Sequence, residues 1–313
     1  MKGLELAKAY YQAYGKEVLE SQFSHVLPFL AIGLAGSGSE CCGYDDKISQ
    51  DHDFEPGFCI FLPGEDVVDR RTAFQLERAY AKLPNEFMGI KRNPLSPVGG
   101  NRHGVIRIND FFSEKVGNCN GSLSLEEWFS VPEYGLLEAT SGEIFEDPYG
   151  AFSAVRQALR YYPEDVRRKK LAGHLLLMGQ AGQYNYTRCI KRGETGAAQL
   201  AAFEFVKSTL HCIYLLNRAY MPYYKWCFKG LESLPRLRGL SKDLEYLISS
   251  GNSSEEAVKK AELIEAICFS VAEEARNQKL TRLKHAEMEP LAYSVNDTVA
   301  DHSIRNLHIL YGV

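Results

Sequence analysis

Two short polar runs near the N-terminus combine residue types that could bind and process a phosphorylated ligand. The first, residues 36–39, follows the apolar run of residues 29–35, and the second, residues 51–53, comes about a dozen residues later. Glycines let the backbone approach a ligand closely, and amides and hydroxyls exposed after a strand suit a phosphate group. We therefore expect a phosphate cradle made of Gly36, Ser37, Gly38 and Ser39.

The second run, Asp51-His52-Asp53, is an Asp-X-Asp pair. Side chains alternate along an extended segment, so both carboxylates should face one side and His52 the other, where it would be packed or hydrogen-bonded. Mg²⁺ is usually held by one or two carboxylates together with substrate phosphates. We expect Asp51 and Asp53 to bind Mg²⁺, for which Mn²⁺ could substitute, next to a nucleoside triphosphate, with ATP as the expected one.

This order of motifs resembles the nucleotidyltransferase superfamily that includes polymerase beta and kanamycin nucleotidyltransferase. The superfamily signature is an apolar-Gly-Ser/Gly run, a spacer of about a dozen residues and then Asp-X-Asp/Glu. The longer pattern through Ser49, residues 51–54 and Pro56 is similar to an uncharacterised bacterial family, a domain of unknown function with an S-x-D-H-D-F core. The specific motif covers about residues 29–63, whereas the two-domain layout of the family would cover nearly the whole chain.

The resemblance implies a reaction in which a hydroxyl attacks the α-phosphorus and pyrophosphate leaves, with Asp51 and Asp53 as catalytic metal ligands. Members of the superfamily usually place a third carboxylate on a following strand. Here the matching position holds Arg107, which cannot act as a base at neutral pH. Three alternatives stay open: Asp110 takes the catalytic role, a residue of the second domain supplies the base, or the protein binds nucleotide without efficient turnover.

Superfamily members with a helical second domain often bind the triphosphate through a lysine from that side, and Lys225 resembles such a residue. It lies in a run rich in aromatic side chains, residues 220–226, which could stack on a base. The alternative is an ordinary helix end, in which the aromatic side chains fill the core and Lys225 faces water.

Composition is that of a globular protein, with 313 residues, 45% hydrophobic and 24% charged. The net charge of −4 argues against a protein that grips nucleic-acid backbones, so nucleic acid is an unlikely partner. No apolar run is long enough for a membrane span, and the N-terminus lacks a signal-peptide pattern. The eight cysteines show no disulfide or metal spacing, so we expect a cytoplasmic protein.

Hydrophobic periodicity predicts an α/β (α+β) domain with a small mixed sheet over residues 1–125 and a mostly α-helical domain over 126–313. The resemblance implies that the first is the nucleotidyltransferase domain and that the second closes on the substrate or nucleotide. The expected strands of the first domain are 29–35, 58–62 and 104–109, with helices over 4–24 and 66–83. In the second domain strand signals almost vanish, and helices are expected at about 149–160, 164–180, 196–219 and 254–278. Ser253 and Glu256 fit a capping box at the start of the last helix.

The leading hypothesis is thus a Mg²⁺-dependent nucleotidyltransferase acting on a hydroxyl of a small molecule or a protein. A nucleotide-binding sensor or regulatory protein that lost turnover is the alternative. A dinucleotide-binding fold is disfavoured, because Gly33, Gly36 and Gly38 do not have the G-x-G-x-x-G spacing.

Overall fold

The computed structural model describes residues 1–49, 54–92 and 102–313. Asp51 and Asp53, the predicted metal ligands, lie outside the described residues. The structure is α+β, with a small mixed four-stranded sheet and many helices, which confirms the predicted class. The chain forms two units: residues 1–123 with 131–160, and residues 124–130 with 161–313. Residues 131–160 thus lie in the first unit, beyond the boundary expected near residue 125.

The strands all belong to the first unit. They are β1 (Ala31–Leu34), β2 (Cys59–Leu62), β3 (Glu86–Phe87), β4 (Ile90–Lys91), β5 (Gly104–Arg107) and β6 (Glu143–Glu146). The helices are α1 (Gly3–Tyr10), α2 (Lys16–Gln22), α3 (Arg70–Ala81), α4 (Ile108–Val116), α5 (Leu125–Ser130), α6 (Glu133–Thr140), α7 (Ala151–Ala158), α8 (Glu164–Met178), α9 (Thr187–Lys191), α10 (Thr195–Leu216), α11 (Cys227–Ser233), α12 (Ser241–Ser249), α13 (Ser254–Asn277), α14 (Met288–Asn296) and α15 (His302–Arg305).

The order of strands in the main sheet is β5-β2-β1-β6. β1 runs antiparallel to both β2 and β6, whereas β2 and β5 are parallel. Cys59 is therefore opposite both Gly33 of β1 and Gly104 of β5. As a result, the end of β1 and the starts of β2, β5 and β6 all meet at one edge of the sheet. We call this the loop edge, because the Gly/Ser run follows β1 there.

Apolar side chains cover both faces of the sheet, since successive residues of a strand point to opposite sides. On one face Ile60 and Leu62 join Tyr10, Tyr11 and other buried residues of α1, α2 and α3. On the other face Phe61 packs against two further phenylalanines, with ring centroids 5.2 Å from Phe111 and 4.3 Å from Phe152. Both central strands are buried along their whole length, which explains why their apolar runs were recognisable in the sequence.

Two glycines let β6 approach β1 closely. A Cβ atom on Gly33 would overlap the carbonyl oxygen of Glu143, and one on Gly142 would overlap the carbonyl oxygen of Leu34. Gly142 also has a φ of +84°, a conformation that favours glycine. The two positions therefore fix how the segment before β6 lies against the end of β1.

Comparison with the predicted elements of the first unit shows where sequence patterns were sufficient. The helix expected over 4–24 is present as α1 and α2, joined by a π-helical turn, and the strands expected at 29–35 and 58–62 are present as β1 and β2. The strand expected over 104–109 extends beyond the observed one, because β5 ends at Arg107 and α4 begins at Ile108. β6 was not predicted, since its sequence Glu-Ile-Phe-Glu is short and half-buried.

The second unit is helical, and α8, α10 and α13 confirm the predicted helices of that region. Ser253 and Glu256 form the predicted capping box at the start of α13. A π-helical segment, Gly179–Tyr186, continues α8 into α9. Gly182 lies so close to the Phe205 ring that a side chain there would overlap it. Among the helices of the described residues, none is long and apolar enough to cross a bilayer.

Replacing Gly142 by Ala should destabilise the protein more than replacing Gly150 by Ala. Both glycines have positive φ, so each variant carries about 1 kcal/mol of backbone strain. Only the Cβ at position 142 meets another atom within 4 Å, and such overpacking typically costs about 1–3 kcal/mol more. Urea unfolding measures both values. Equal losses would show that the close approach of β6 to β1 carries no steric constraint.

Candidate functional site

The Gly/Ser run forms an irregular loop that leaves the sheet directly after β1, at the loop edge. Gly36 and Gly38 have φ values of +113° and +124°, which side chains rarely tolerate. A Cβ on Gly36 would lie 3.2 Å from the Phe111 ring, so this glycine also lets the loop pack closely on α4. The glycines thus set the path of the loop, as the sequence suggested.

The loop presents hydrogen-bond donors that have no acceptor in the part of the chain that the structure describes. The backbone amides of Ser37, Gly38 and Ser39 donate to no residue that the structure describes, nor does the Ser39 hydroxyl. The Ser39 carbonyl closes the following turn by accepting from the Tyr44 amide at 2.8 Å. Unpaired amides on consecutive residues are the usual means by which a backbone loop binds an anion.

The Ser37 hydroxyl, by contrast, is already engaged by an ion pair. It accepts a hydrogen bond from Lys115 Nζ at 2.7 Å and donates to Glu138 Oε2 at 3.1 Å. Lys115 Nζ and Glu138 Oε2 are themselves 3.1 Å apart. Lys115 comes from the last turn of α4 and Glu138 from α6, so two helices hold this serine in one rotamer. Ser37 is therefore positioned to offer its amide, not its hydroxyl, to a ligand.

Lys115 carries a positive charge at the loop. Burial disfavours that charge, but the hydrogen bond with Glu114 and the nearby Glu138 carboxylate raise the pKa of Lys115. Its side chain is only 11% exposed. Because the amine stays protonated, Lys115 cannot act as a base for Ser37 and serves instead as a fixed cation.

Glu40 places a carboxylate against the loop. Its side chain lies so close to Gly38 that a Cβ on Gly38 would overlap the carboxylate. The group makes no ion pair with a described residue. Burial raises the pKa of Glu40, opposed by its own backbone amide and by the charges of Arg102 and His103.

The segments before β2 and β5 contact each other at the loop edge. His103 Nδ1 lies 3.1 Å from Glu55 Oε1, and a Cβ on Gly57 would overlap the His103 ring. On the α1 side, a Cβ on Gly3 would lie 2.6 Å from Glu40 Cβ and 3.8 Å from the Phe54 ring. Phe54 directly follows Asp53 in the sequence. Glu40 and Phe54 therefore both lie next to Gly3 of α1.

Two predicted positions of the third carboxylate are not at this edge. Arg107 ends β5 opposite Leu62, at the far edge of the sheet. Its guanidinium donates to the Pro63 and Val68 carbonyl oxygens, each at 2.7 Å, and so holds the turn after β2. The pairing of β5 with β2 thus separates Arg107 from the loop edge. Its match to the third carboxylate of the superfamily stays a prediction, because Asp51 and Asp53 lie outside the described residues.

Asp110 follows that far end of β5. It lies in the first turn of α4, where it is exposed and where a negative charge stabilises the helix N-terminus. Its side chain makes no hydrogen bond or ion pair with a described residue. The structure does not bring Asp110 together with the Gly/Ser loop, and its catalytic role stays a prediction.

Lys225 lies in the second unit, in a 3-10 turn over Tyr224–Trp226. Its side chain is exposed, with Nζ 5.6 Å from the centroid of the Trp226 ring. The neighbouring Tyr223 and Tyr224 side chains are also exposed, with ring centroids 4.4 Å apart. This arrangement suits a surface turn, and a role of Lys225 in binding triphosphate stays a prediction.

Sequence reasoning missed Lys115, Glu138 and Glu40. Lys115 is 78 residues from Ser37 in sequence and Glu138 is 101, so no local pattern links them. Glu40, however, directly follows the Gly/Ser run. A carboxylate beside a predicted phosphate cradle is unfavourable unless it has a role there. The position of Glu40 in the sequence could therefore have marked it as a candidate functional residue.

A comparison with protein families matches residues 128–227 to a model described as a domain of unknown function, DUF4037. This segment, less than half of the chain, contains Glu138, α6 and β6 of the first unit and continues through α8 and α10 of the second. It supports an uncharacterised family for that part of the chain. The comparison with curated proteins gives no match. The nucleotidyltransferase motif, residues 29–63, lies outside the matched segment, so that resemblance stays a prediction.

The Lys115–Glu138 pair should stabilise the protein more than the exposed Lys8–Glu143 pair. The side chains of the first pair are 11% and 28% exposed, against 45% and 44% in the second. A double-mutant cycle with Lys115→Met and Glu138→Gln should give a coupling of about 1 kcal/mol or more. The cycle with Lys8→Met and Glu143→Gln should give about 0.5 kcal/mol or less. Equal couplings in urea unfolding would contradict the role of Lys115 as a fixed cation.

Proposed function

We propose that the protein is a Mg²⁺-dependent nucleotidyltransferase that moves a nucleoside monophosphate from a triphosphate, with ATP expected, to a hydroxyl group. One observation carries the proposal. The amides of three consecutive residues, Ser37, Gly38 and Ser39, have no acceptor among the described residues and lie at a sheet edge beside the ammonium group of Lys115. This combination is suited to the β- and γ-phosphates of a nucleotide.

The charges around the loop favour a metal-bound triphosphate over a free one. Lys115 is offset by Glu138 at 3.1 Å and Glu114 at 3.0 Å, and Glu40 adds a further carboxylate beside Gly38. A bare triphosphate would meet net negative charge, whereas its magnesium complex carries less. Hard oxygen donors are the ligands that Mg²⁺ prefers, and the sequence supplies Asp51 and Asp53 next to Phe54.

Bound Mg²⁺ would act as a Lewis acid at the α-phosphoryl group. The residues of the loop would orient the β- and γ-phosphates so that pyrophosphate can leave in line. The Ser39 hydroxyl adds a donor, and the Ser37 side chain keeps the loop in place. Positioning of this kind accounts for much of the catalysis in phosphoryl transfer.

The acceptor in this proposal is a small molecule or a protein side chain. A net charge of −4 does not favour a nucleic-acid backbone as the partner. All eight cysteines are free, which fits the reducing cytoplasm that we propose as its location.

A nucleotide-binding sensor without turnover is the second candidate. Arg107 favours it, because this residue matches the third carboxylate of the superfamily pattern and instead donates to the Pro63 and Val68 carbonyl oxygens. Release of labelled pyrophosphate from a γ-labelled triphosphate, with cell extract as the source of acceptors, separates the two. Binding of magnesium triphosphate without pyrophosphate release would favour the sensor.

Asp51→Asn and Asp53→Asn should each abolish nucleotidyl transfer while the fold persists. Loss of a metal ligand removes several kcal/mol of transition-state stabilisation, so the rate should fall by orders of magnitude. Transfer of an α-labelled triphosphate to acceptors in extract, followed by mass analysis, measures it. Glu65→Gln is the control, because this exposed carboxylate follows β2 at the far edge of the sheet. Full transfer by the double Asp variant would refute the metal assignment.

Gly38→Ala should weaken triphosphate binding more than monophosphate binding, because only the triphosphate carries the β- and γ-oxygens that the loop amides would bind. The added Cβ would displace Glu40 and distort the loop. Gly43→Ala is the matched control, since Gly43 lies in the next turn with a φ of +70° and open space around it. Calorimetric titration with both nucleotides, alongside thermal unfolding, tests this. Equal effects of the two variants would exclude the loop as the phosphate site.

A further inference from the structure

The loop edge contains a carboxylate that packing alone does not explain. Glu40 follows the Gly/Ser run directly, and its carboxylate lies on Gly38, a residue whose φ of +124° leaves that space open. No described cation lies within ion-pair distance of it. A partly buried carboxylate without an ion pair costs stability, which proteins tolerate mainly where the group has a function.

A neighbouring carboxylate provides a structural comparison. Asp45 is almost fully buried, accepts a hydrogen bond from the Gly3 amide at 2.8 Å and lies 3.2 Å from Lys2 Nζ. Asp45 is therefore explained by the contacts that hold the start of α1. Among the described residues Glu40 has no comparable partner, although Gly3 lies close to both side chains.

The surroundings of Glu40 connect it to both parts of the proposed site. Its carboxylate lies next to Gly38, whose amide is one of those that would bind phosphate. Its Cβ lies next to Gly3, which is also close to the ring of Phe54, the residue that follows Asp53 in the sequence. Arg107 and Asp110, in contrast, belong to the far edge of the sheet.

We propose that Glu40 is the general base of the nucleotidyl transfer and takes the place of the third carboxylate of the superfamily pattern. The inference rests on the proposed function. In the step it would catalyse, the acceptor O–H bond breaks and its proton passes to the Glu40 carboxylate. The acceptor oxygen forms a bond to the α-phosphorus, and the bond between that phosphorus and the bridging oxygen breaks to release pyrophosphate. Glu40 then returns the proton to solvent.

The environment of Glu40 suits this task. Burial raises the pKa of its carboxyl group, which makes the carboxylate a stronger proton acceptor. The charges of Arg102 and His103 oppose that increase and so favour the ionised form. A general base must be ionised before the reaction and protonated after it. The charges of Arg102 and His103 favour the ionised carboxylate, and burial favours the protonated one.

Glu40→Gln keeps the size of the side chain and removes the base. We expect the transfer rate to fall by about 10²- to 10⁴-fold, the usual contribution of a general base. Triphosphate binding without metal should be unchanged or tighter, because a negative charge beside the phosphates is lost. A purely structural Glu40 would instead weaken binding and lower the unfolding midpoint. Glu65→Gln, at the far edge of the sheet, is the control and should match wild type in all three measurements.

The outcomes separate this inference from the proposed function. Wild-type transfer with a Glu40→Gln rate within about threefold of wild type would overturn the role of Glu40 and leave the function standing. Parallel loss of binding and rate would also overturn it, in favour of a structural role. A rate loss in Asp110→Asn with none in Glu40→Gln would assign the base to Asp110. Absence of transfer by the wild type with every triphosphate would overturn both proposals.

Discussion

The close pairing of β1 with β6 is the constraint on which the candidate site depends. Gly33 and Gly142 leave no room for a side chain between the two strands, so the segment that leads into β6 lies against the end of β1. That segment begins in α6, which carries Glu138, and continues through Ser141, whose hydroxyl donates to the Gly36 carbonyl at 3.3 Å. The Arg156 guanidinium reinforces the arrangement by donating to the Thr140 and Gly142 carbonyl oxygens, each at 2.7 Å. Without this close approach of the two backbones, Glu138 would not reach the Ser37 hydroxyl and Ser141 would not reach the Gly36 carbonyl oxygen.

The electrostatics of the loop follow from that framework. One ammonium group, that of Lys115, lies among the carboxylates of Glu114, Glu138 and Glu40. Glu138 and Glu114 fix the cation in place, whereas Glu40 has no cation of its own among the described residues. Fixed charges cost no reorganisation when a ligand binds, which is why preorganised sites are effective in catalysis. The unbalanced carboxylate is the feature on which the proposed catalytic role of the loop edge depends.

The sequence predicted the parts of the fold that local patterns encode. The buried runs of β1 and β2, the amphipathic α1 and α13, and the glycine-rich loop all have signals within a short window. Strand pairing and the contacts of α4 and α6 depend on residues far apart in sequence, and periodicity carries no information about them. Arg107 shows the consequence. Motif order alone matched it to the third carboxylate of the superfamily, whereas the parallel pairing of β5 with β2, which motif order does not encode, places it at the edge opposite the Gly/Ser loop.

The discontinuity of the first unit explains why motif order was an incomplete guide to the site. Residues 1–123 supply the Gly/Ser loop, Glu40 and Lys115, but the unit also contains residues 131–160. A chain ended near residue 125 would lack β6 and Glu138, and with them the contacts that hold Ser37 and Gly36. The matched family segment, residues 128–227, contains these supporting residues but not the loop that they support. The elements that position the candidate site and the residues that would bind the ligand therefore come from separate stretches of sequence, and only the fold joins them.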